Sequence, residues 1–200
     1  MINILFIHGL GSSSKSSTGQ LLHDMSNEQM MIYNPSFSLS PKKAIEEINK
    51  LIDDYHIDMV IGSSLGGFYA LQCDCNYGVV INPALTPIND IKTAIGYGEH
   101  PYVNGEGNYI IDENFISELE WVIKRNYQGD NPNEWYKYLN KSKVFAGIFG
   151  KQDELFSHYE DFKCINNETI VLLDDMHHRF DKKYASLLKS FIEKMINVIH

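Results

Sequence analysis

The chain has 200 residues, 44% of them hydrophobic and 22% charged; these are ordinary proportions for one globular domain and exclude disordered, collagen-like and coiled-coil classes. With 17 Lys and Arg against 26 Asp and Glu, the formal charge is −9, a field that repels phosphate backbones and anionic lipid and argues against nucleic acid or membrane as partner. The three cysteines, Cys73, Cys75 and Cys164, lack the paired spacing of a disulfide framework or a zinc ribbon, so a soluble protein of a reducing cytoplasm is expected.

The first apolar run, residues 2–7, has no basic residue before Lys15 and is too short for a secretion-signal core, so it reads as a strand. It leads into Ile7-His8-Gly9-Leu10-Gly11-Ser12-Ser13-Ser14, a glycine-rich turn feeding a helix near 16–26. The turn carries neither the phosphate-loop pattern nor the G-x-G-x-x-G dinucleotide fingerprint, so no nucleotide cofactor is expected. A second strand is expected at 29–33. Ser40-Pro41 then supplies an N-cap and a proline at the first helical position, and Ala44, Ile45, Ile48, Leu51 and Ile52 form one stripe behind them. Asp53-Asp54-Tyr55-His56-Ile57-Asp58 is the end of that helix passing into a strand at 58–62, not a metal-ligand set.

Directly after that strand comes Gly62-Ser63-Ser64-Leu65-Gly66, followed by a helical run through Phe68 and Leu71. A strand turning abruptly into a helix forces its central residue into a strained conformation, and side chains two positions either side would collide, so glycine is needed at both. Such a turn lifts the Ser64 hydroxyl above the carboxyl edge of the sheet and leaves the Leu65 N–H at a helix N-terminus, where a developing oxyanion is favoured. Cys73 and Cys75 lie in the same helical segment as small hydrophobes.

Further strands are expected at 78–82, 143–149 and 169–173, and a C-terminal helix from Lys182 with Tyr184, Leu187, Leu188, Phe191, Ile192, Met195 and Ile196 on one face. The interval 84–142 is long for a crossover and reads as an inserted cap with helices near 113–125 and 133–140. Its Trp121, Tyr127, Trp135, Tyr136 and Tyr138 are either core or the lining of an acyl pocket. Apolar strands alternating with helices indicate a doubly wound parallel α/β sheet, here one domain over 1–200. No stretch of about 18 apolar residues could span a bilayer as a helix.

A serine at a free pKa is a poor nucleophile and needs a histidine base and an orienting carboxylate, in the order Ser, acid, His. After strand 143–149 comes Gly150-Lys151-Gln152-Asp153-Glu154, with Asp153 as first candidate and Glu154 as second; after strand 169–173, Asp174-Asp175-Met176-His177-His178 offers two imidazoles. All these loops fall at one edge of a parallel sheet, where ligands of such sheets bind. The N–H of Leu10 is the candidate second oxyanion donor. His8, His23, His56, His100, His158 and His200 receive no catalytic role.

Taken together, Ile7-His8-Gly9-Leu10, Ile61-Gly62-Ser63-Ser64-Leu65-Gly66-Gly67-Phe68-Tyr69-Ala70, Val80-Ile81-Asn82-Pro83-Ala84, His100-Pro101-Tyr102, Gly105-Glu106 and His178-Arg179-Phe180 make the chain resemble an α/β-hydrolase, more narrowly the YqiA/YcfP-type family of small esterases. The resemblance implies a six-stranded sheet in the order 2-1-3-4-5-6 with an inserted helical cap. It also implies a triad of Ser64, Asp153 and His178, and short acyl esters as substrates without metal or organic cofactor. The chain departs from the family in the residues before the acid, where a Gly-Asp-Glu turn is common. A thioesterase or amidase using the same site, and a catalytically silent binding protein on this fold, are the alternatives.

Overall fold

A computed structural model of the chain describes residues 1–103, 105–166 and 169–200. Its elements run β1 (Ile2–Ile7), α1 (Ser17–Asp24), β2 (Met30–Tyr33), α2 (Pro41–Tyr55), β3 (Met59–Ser63), α3 (Leu65–Gln72), β4 (Tyr77–Ile81) and α4 (Pro87–Asp90). After these come β5 (Gly98–Pro101), β6 (Asn108–Ile111), α5 (Glu113–Lys124), β7 (Val144–Gly150), α6 (Tyr159–Phe162), β8 (Ile170–Leu173) and α7 (Ala185–Ile199). The described strands build a six-stranded sheet in the order β2-β1-β3-β4-β7-β8, every pairing parallel. This is the expected doubly wound order.

Because a parallel sheet is covered on both faces, its strands are apolar almost throughout. In β1, Leu5 and Ile7 pack with α2, α3 and α5, while Ile4 and Phe6 pack with Leu22 of α1 and Leu188, Ile192 and Met195 of α7; the alternation is the period of two of an extended chain. Helix α2 starts as its sequence dictates: the Ser40 side chain caps the Lys43 N–H, Pro41 takes the first turn, and Ala44, Ile45, Ile48 and Ile52 are buried. Ile45 and Ile48 are wholly inaccessible, and each contributes about 2 kcal/mol through removal from water.

The interval 84–142 delivers α5 as the crossover helix to β7, burying Phe115, Ile116, Leu119, Val122 and Ile123 in the same core as the sheet. It also holds a two-stranded antiparallel hairpin, β5 with β6, in a stretch of the expected cap for which the sequence predicts no element. The strands are only four residues long and set off by Gly96, Gly98, Gly105 and Gly107, all at positive φ, and so short a run has no periodicity to read. The expected helix near 133–140 is a 3₁₀ helix, Pro132–Tyr138. Among the described residues no helix is long and apolar enough to cross a membrane.

Strand order reverses between β1 and its two neighbours, so the loops leaving β1 and β3 diverge and open a crevice at their carboxyl ends. The hairpin roofs that crevice. The Val103 N–H donates to the Gly11 carbonyl at 2.8 Å, and the Tyr109 ring fills the space where a Gly11 side chain would stand.

Candidate active site

The β3–α3 turn is built as its glycines require. Ser64 has φ +57° and ψ −123°, a region that non-glycine residues enter only at a cost of about 1–3 kcal/mol. A Cβ on Gly62 would strike the Gly66 carbonyl, and one on Gly66 would strike the carbonyls of Ile7 and His8. The Ser64 N–H donates to Ile81 O at 2.9 Å, and its carbonyl accepts from Ala84 N–H at 3.0 Å. The strained residue is therefore gripped from both sides.

The Ser64 hydroxyl lies 2.9 Å from His178 Nε2, and His178 Nδ1 lies 2.8 Å from Asp153 Oδ2. A carboxylate only accepts, so the Nδ1 proton faces Asp153, and Nε2 is left to accept from the hydroxyl. The Asp153 side chain is 2% exposed; its Oδ1 accepts the N–H groups of Leu155 at 2.9 Å and Phe156 at 3.1 Å. Those bonds fix one oxygen and aim the other at the imidazole. The Phe156 ring stands edge-on to His178 with centroids 4.8 Å apart and shields it from water.

The neighbours of these two residues point elsewhere. His177 and Glu154 have exposed side chains with His177 Nδ1 and Glu154 Oε2 3.4 Å apart, and Glu154 touches His178 not at its ring but by accepting its backbone N–H at 3.1 Å. Burial alone would raise the Glu154 pKa, but its own N–H and that of His178 outweigh it and hold the carboxyl below its usual range. Cys73 is inert as a nucleophile, because burial pushes its thiol up to about 12.

The loop after β1 presses on the serine. A Cβ built on Gly9 would lie 3.1 Å from Ser64 Cβ, so the Gly9–Leu10 peptide runs alongside the hydroxyl. Among the described residues neither the Leu10 nor the Leu65 N–H donates to another group of the chain. Beside them is a cavity of about 40 Å³ lined by Leu10, Phe37, Leu39, Leu65, Tyr69 and Tyr102 among others.

The aromatic residues considered for an acyl pocket are not there. Trp135, Tyr136 and Tyr127 are buried in the core, and Trp121 and Tyr138 are exposed. Tyr127, Trp135 and Tyr138 border a cavity of about 340 Å³ at the opposite, amino edge of the sheet, together with Asn76 and Lys143. The Lys143 ammonium there is committed to the carbonyls of Cys73 and Cys75 at 2.6 and 2.7 Å. Among the described residues no group of three His, Cys, Asp or Glu side chains is placed to hold a metal.

Three residues given no role from the sequence border the site. His8 donates from Nδ1 to Gly9 O at 3.0 Å and accepts the Phe37 N–H on Nε2 at 3.2 Å. Buried His158 lies between Asp90 and Asp161, at 3.0 Å from each. Asn82 bridges two loops. The His-Gly and Asn-Pro-Ala strings were visible signals for His8 and Asn82; nothing local marks His158.

Residues 3–194 match the uncharacterised protein family UPF0227. Among solved structures the chain is similar to Est1E from Butyrivibrio proteoclasticus, with a TM-score of 0.72 and 15% identity over 98% of this chain and 88% of that one. A second structure of that protein has ferulic acid bound. The chain is also similar to the mouse alpha/beta hydrolase domain-containing protein 10, with a TM-score of 0.65 and 15% identity over 99% and 90% of the two chains. An alpha/beta superfamily hydrolase from Oenococcus oeni PSU-1 matches with a TM-score of 0.62 and 18% identity over 98% and 93%. The fold is that of the α/β-hydrolase superfamily.

Proposed function

The chain belongs to the UPF0227 family, and on that footing we propose that it is a serine hydrolase acting on short-chain carboxylic esters. The observation that carries the reading is the unbroken chain of hydrogen bonds from Ser64 Oγ through the His178 ring to Asp153. His178 Nε2 takes the hydroxyl proton as Ser64 Oγ attacks the ester carbonyl, and Asp153 stabilises the imidazolium so formed. The carbonyl oxygen gains its negative charge between the N–H groups of Leu65 and Leu10, held in place before the reaction starts. Collapse of the tetrahedral intermediate breaks the C–O bond to the alcohol, which leaves with the proton from His178. Water, deprotonated by the same imidazole, then hydrolyses the acyl-enzyme.

The cavity next to the oxyanion donors supports a short acyl group. At about 40 Å³ it holds roughly three water-sized groups.

The test is Ser64→Ala assayed with p-nitrophenyl butyrate. Turnover falls by about three orders of magnitude or more, with the melting temperature retained, and a fluorophosphonate probe labels the wild type at Ser64 but not the variant. Full activity in Ser64→Ala, or a wild type inert to both reagents, would reject the reading and leave a binding protein on a hydrolase fold.

A further inference from the structure

Asn82 stands one residue beyond the end of β4, 3% exposed, with φ +41°. Asparagine is one of the few side chains that tolerate this left-handed backbone. Its amide is engaged at both ends: Oδ1 accepts the Gly150 N–H at 2.8 Å, and Nδ2 donates to the carbonyls of His177 at 3.0 Å and His178 at 2.9 Å. Its backbone N–H donates to Ile148 O at 2.9 Å. Gly150 opens the turn that carries Asp153, so one buried side chain ties the carboxylate loop to the imidazole loop. The adjoining Ile81 and Ala84 hold the Ser64 backbone from either side. All three elements of the site are thereby referred to one four-residue segment.

We propose that Asn82 is the positioning residue of the site: its amide, bridging Gly150 and the carbonyls of His177 and His178, fixes the separation of the two loops and so keeps the His178 imidazole within reach of both Ser64 and Asp153. The proposal rests on the hydrolase reading above. The bridge needs a donor and an acceptor on one short side chain. A carboxylate in its place would still accept from Gly150 but would set negative charge against two carbonyl oxygens. The His178 carbonyl is only one residue's length from the ring, so a shift at the bridge passes directly to Nε2, and misplacement by about 1 Å costs on the order of 100-fold in rate.

The experiment compares wild type with Asn82→Asp and Asn82→Gly, both of which accept the left-handed backbone; circular dichroism and the melting temperature establish that each is folded. For p-nitrophenyl butyrate, kcat falls about 100-fold in both variants with KM unchanged. In Asn82→Asp the midpoint of the acid limb of the kcat profile moves upward, because the added carboxylate favours the charged imidazole. The downfield proton resonance of His178 Nδ1–H is present in the wild type and lost in both variants. Folded variants with wild-type kcat and an unmoved resonance would overturn the proposal. So would a lowered melting temperature with kcat retained, which would make Asn82 purely structural. Should the wild type prove inert to ester and fluorophosphonate, it is the hydrolase reading that fails. The resonance alone then decides about Asn82: its loss in the variants supports the bridge, and its persistence rejects it.

Discussion

The His8 imidazole holds the Gly9 carbonyl at 3.0 Å, and the N–H of Leu10 belongs to the same peptide unit. In a trans peptide the carbonyl and the N–H point in opposite directions, so fixing one aims the other. His8 is anchored in turn by accepting the Phe37 N–H, which leaves Nδ1 as its protonated nitrogen.

His8→Ala is therefore expected to lower kcat about 10-fold, less than the 10²–10³ typical of removing an oxyanion donor outright, with little change in KM. Burial holds the His8 pKa below its ordinary value, with the Gly9 hydrogen bond opposing it. A depressed folded-state pKa means that this contribution to stability is complete above pH 6.5 and is lost as the pH falls through the lower folded value. Steady-state kinetics of the variant, and melting temperatures of the wild type at and below pH 6.5, check both points.

The two carboxylates of the acid turn are expected to separate sharply. Asp153→Asn keeps the shape but removes the charge facing His178 Nδ1, and kcat should fall by about 10³–10⁴. Glu154→Gln removes an exposed carboxylate that touches the His178 backbone and the His177 ring, and it should cost less than about fivefold. Equal losses in the two variants would mean that the turn acts through its backbone alone.

Tyr102 reaches the small cavity from the roofing hairpin. Tyr102→Ala opens the cavity on that side, so a series of p-nitrophenyl esters from acetate to octanoate should shift its optimum to longer chains. The octanoate to butyrate ratio of kcat/KM is expected to rise about 10-fold, the scale of one or two added methylenes in an apolar pocket. An unchanged optimum would place the acyl chain elsewhere.

His158 bridges the loop following Asp153 to α4 and α6 through Asp90 and Asp161. Burial lowers its pKa, but the two carboxylates outweigh it and the net shift is upward. With the folded value raised, the stabilisation is fully present below pH 6.5 and declines as the pH rises through the folded value. His158→Gln leaves Asp90 buried without its cation and should cost about 3 kcal/mol at mildly acidic pH. Melting curves from about pH 5.5 to 9 should show the gap between wild type and variant closing toward the alkaline end.

The sequence alone determined the architecture and the serine turn, because both depend on neighbours along the chain. Apolar strands alternating with amphipathic helices specify a covered parallel sheet. Gly62 is demanded by a collision with the Gly66 carbonyl four residues on, which the sequence spacing contains, whereas the carbonyls of Ile7 and His8 that also demand Gly66 are brought there by the fold. What adjacent residues of one type do was not legible. His177 and His178 are chemically identical and consecutive, and the ring that meets Ser64 is selected by the Gly150 turn and the Asn82 bridge, whose partners lie far along the chain. The tertiary structure likewise decided that Tyr127, Trp135, Tyr136 and Tyr138 go to the core and the amino edge while Trp121 is left exposed, that a hairpin roofs the crevice, and that His8 and His158 border the site. Each of these depends on hydrogen bonds or packing between distant segments, and a local pattern carries no trace of a partner that only folding brings near.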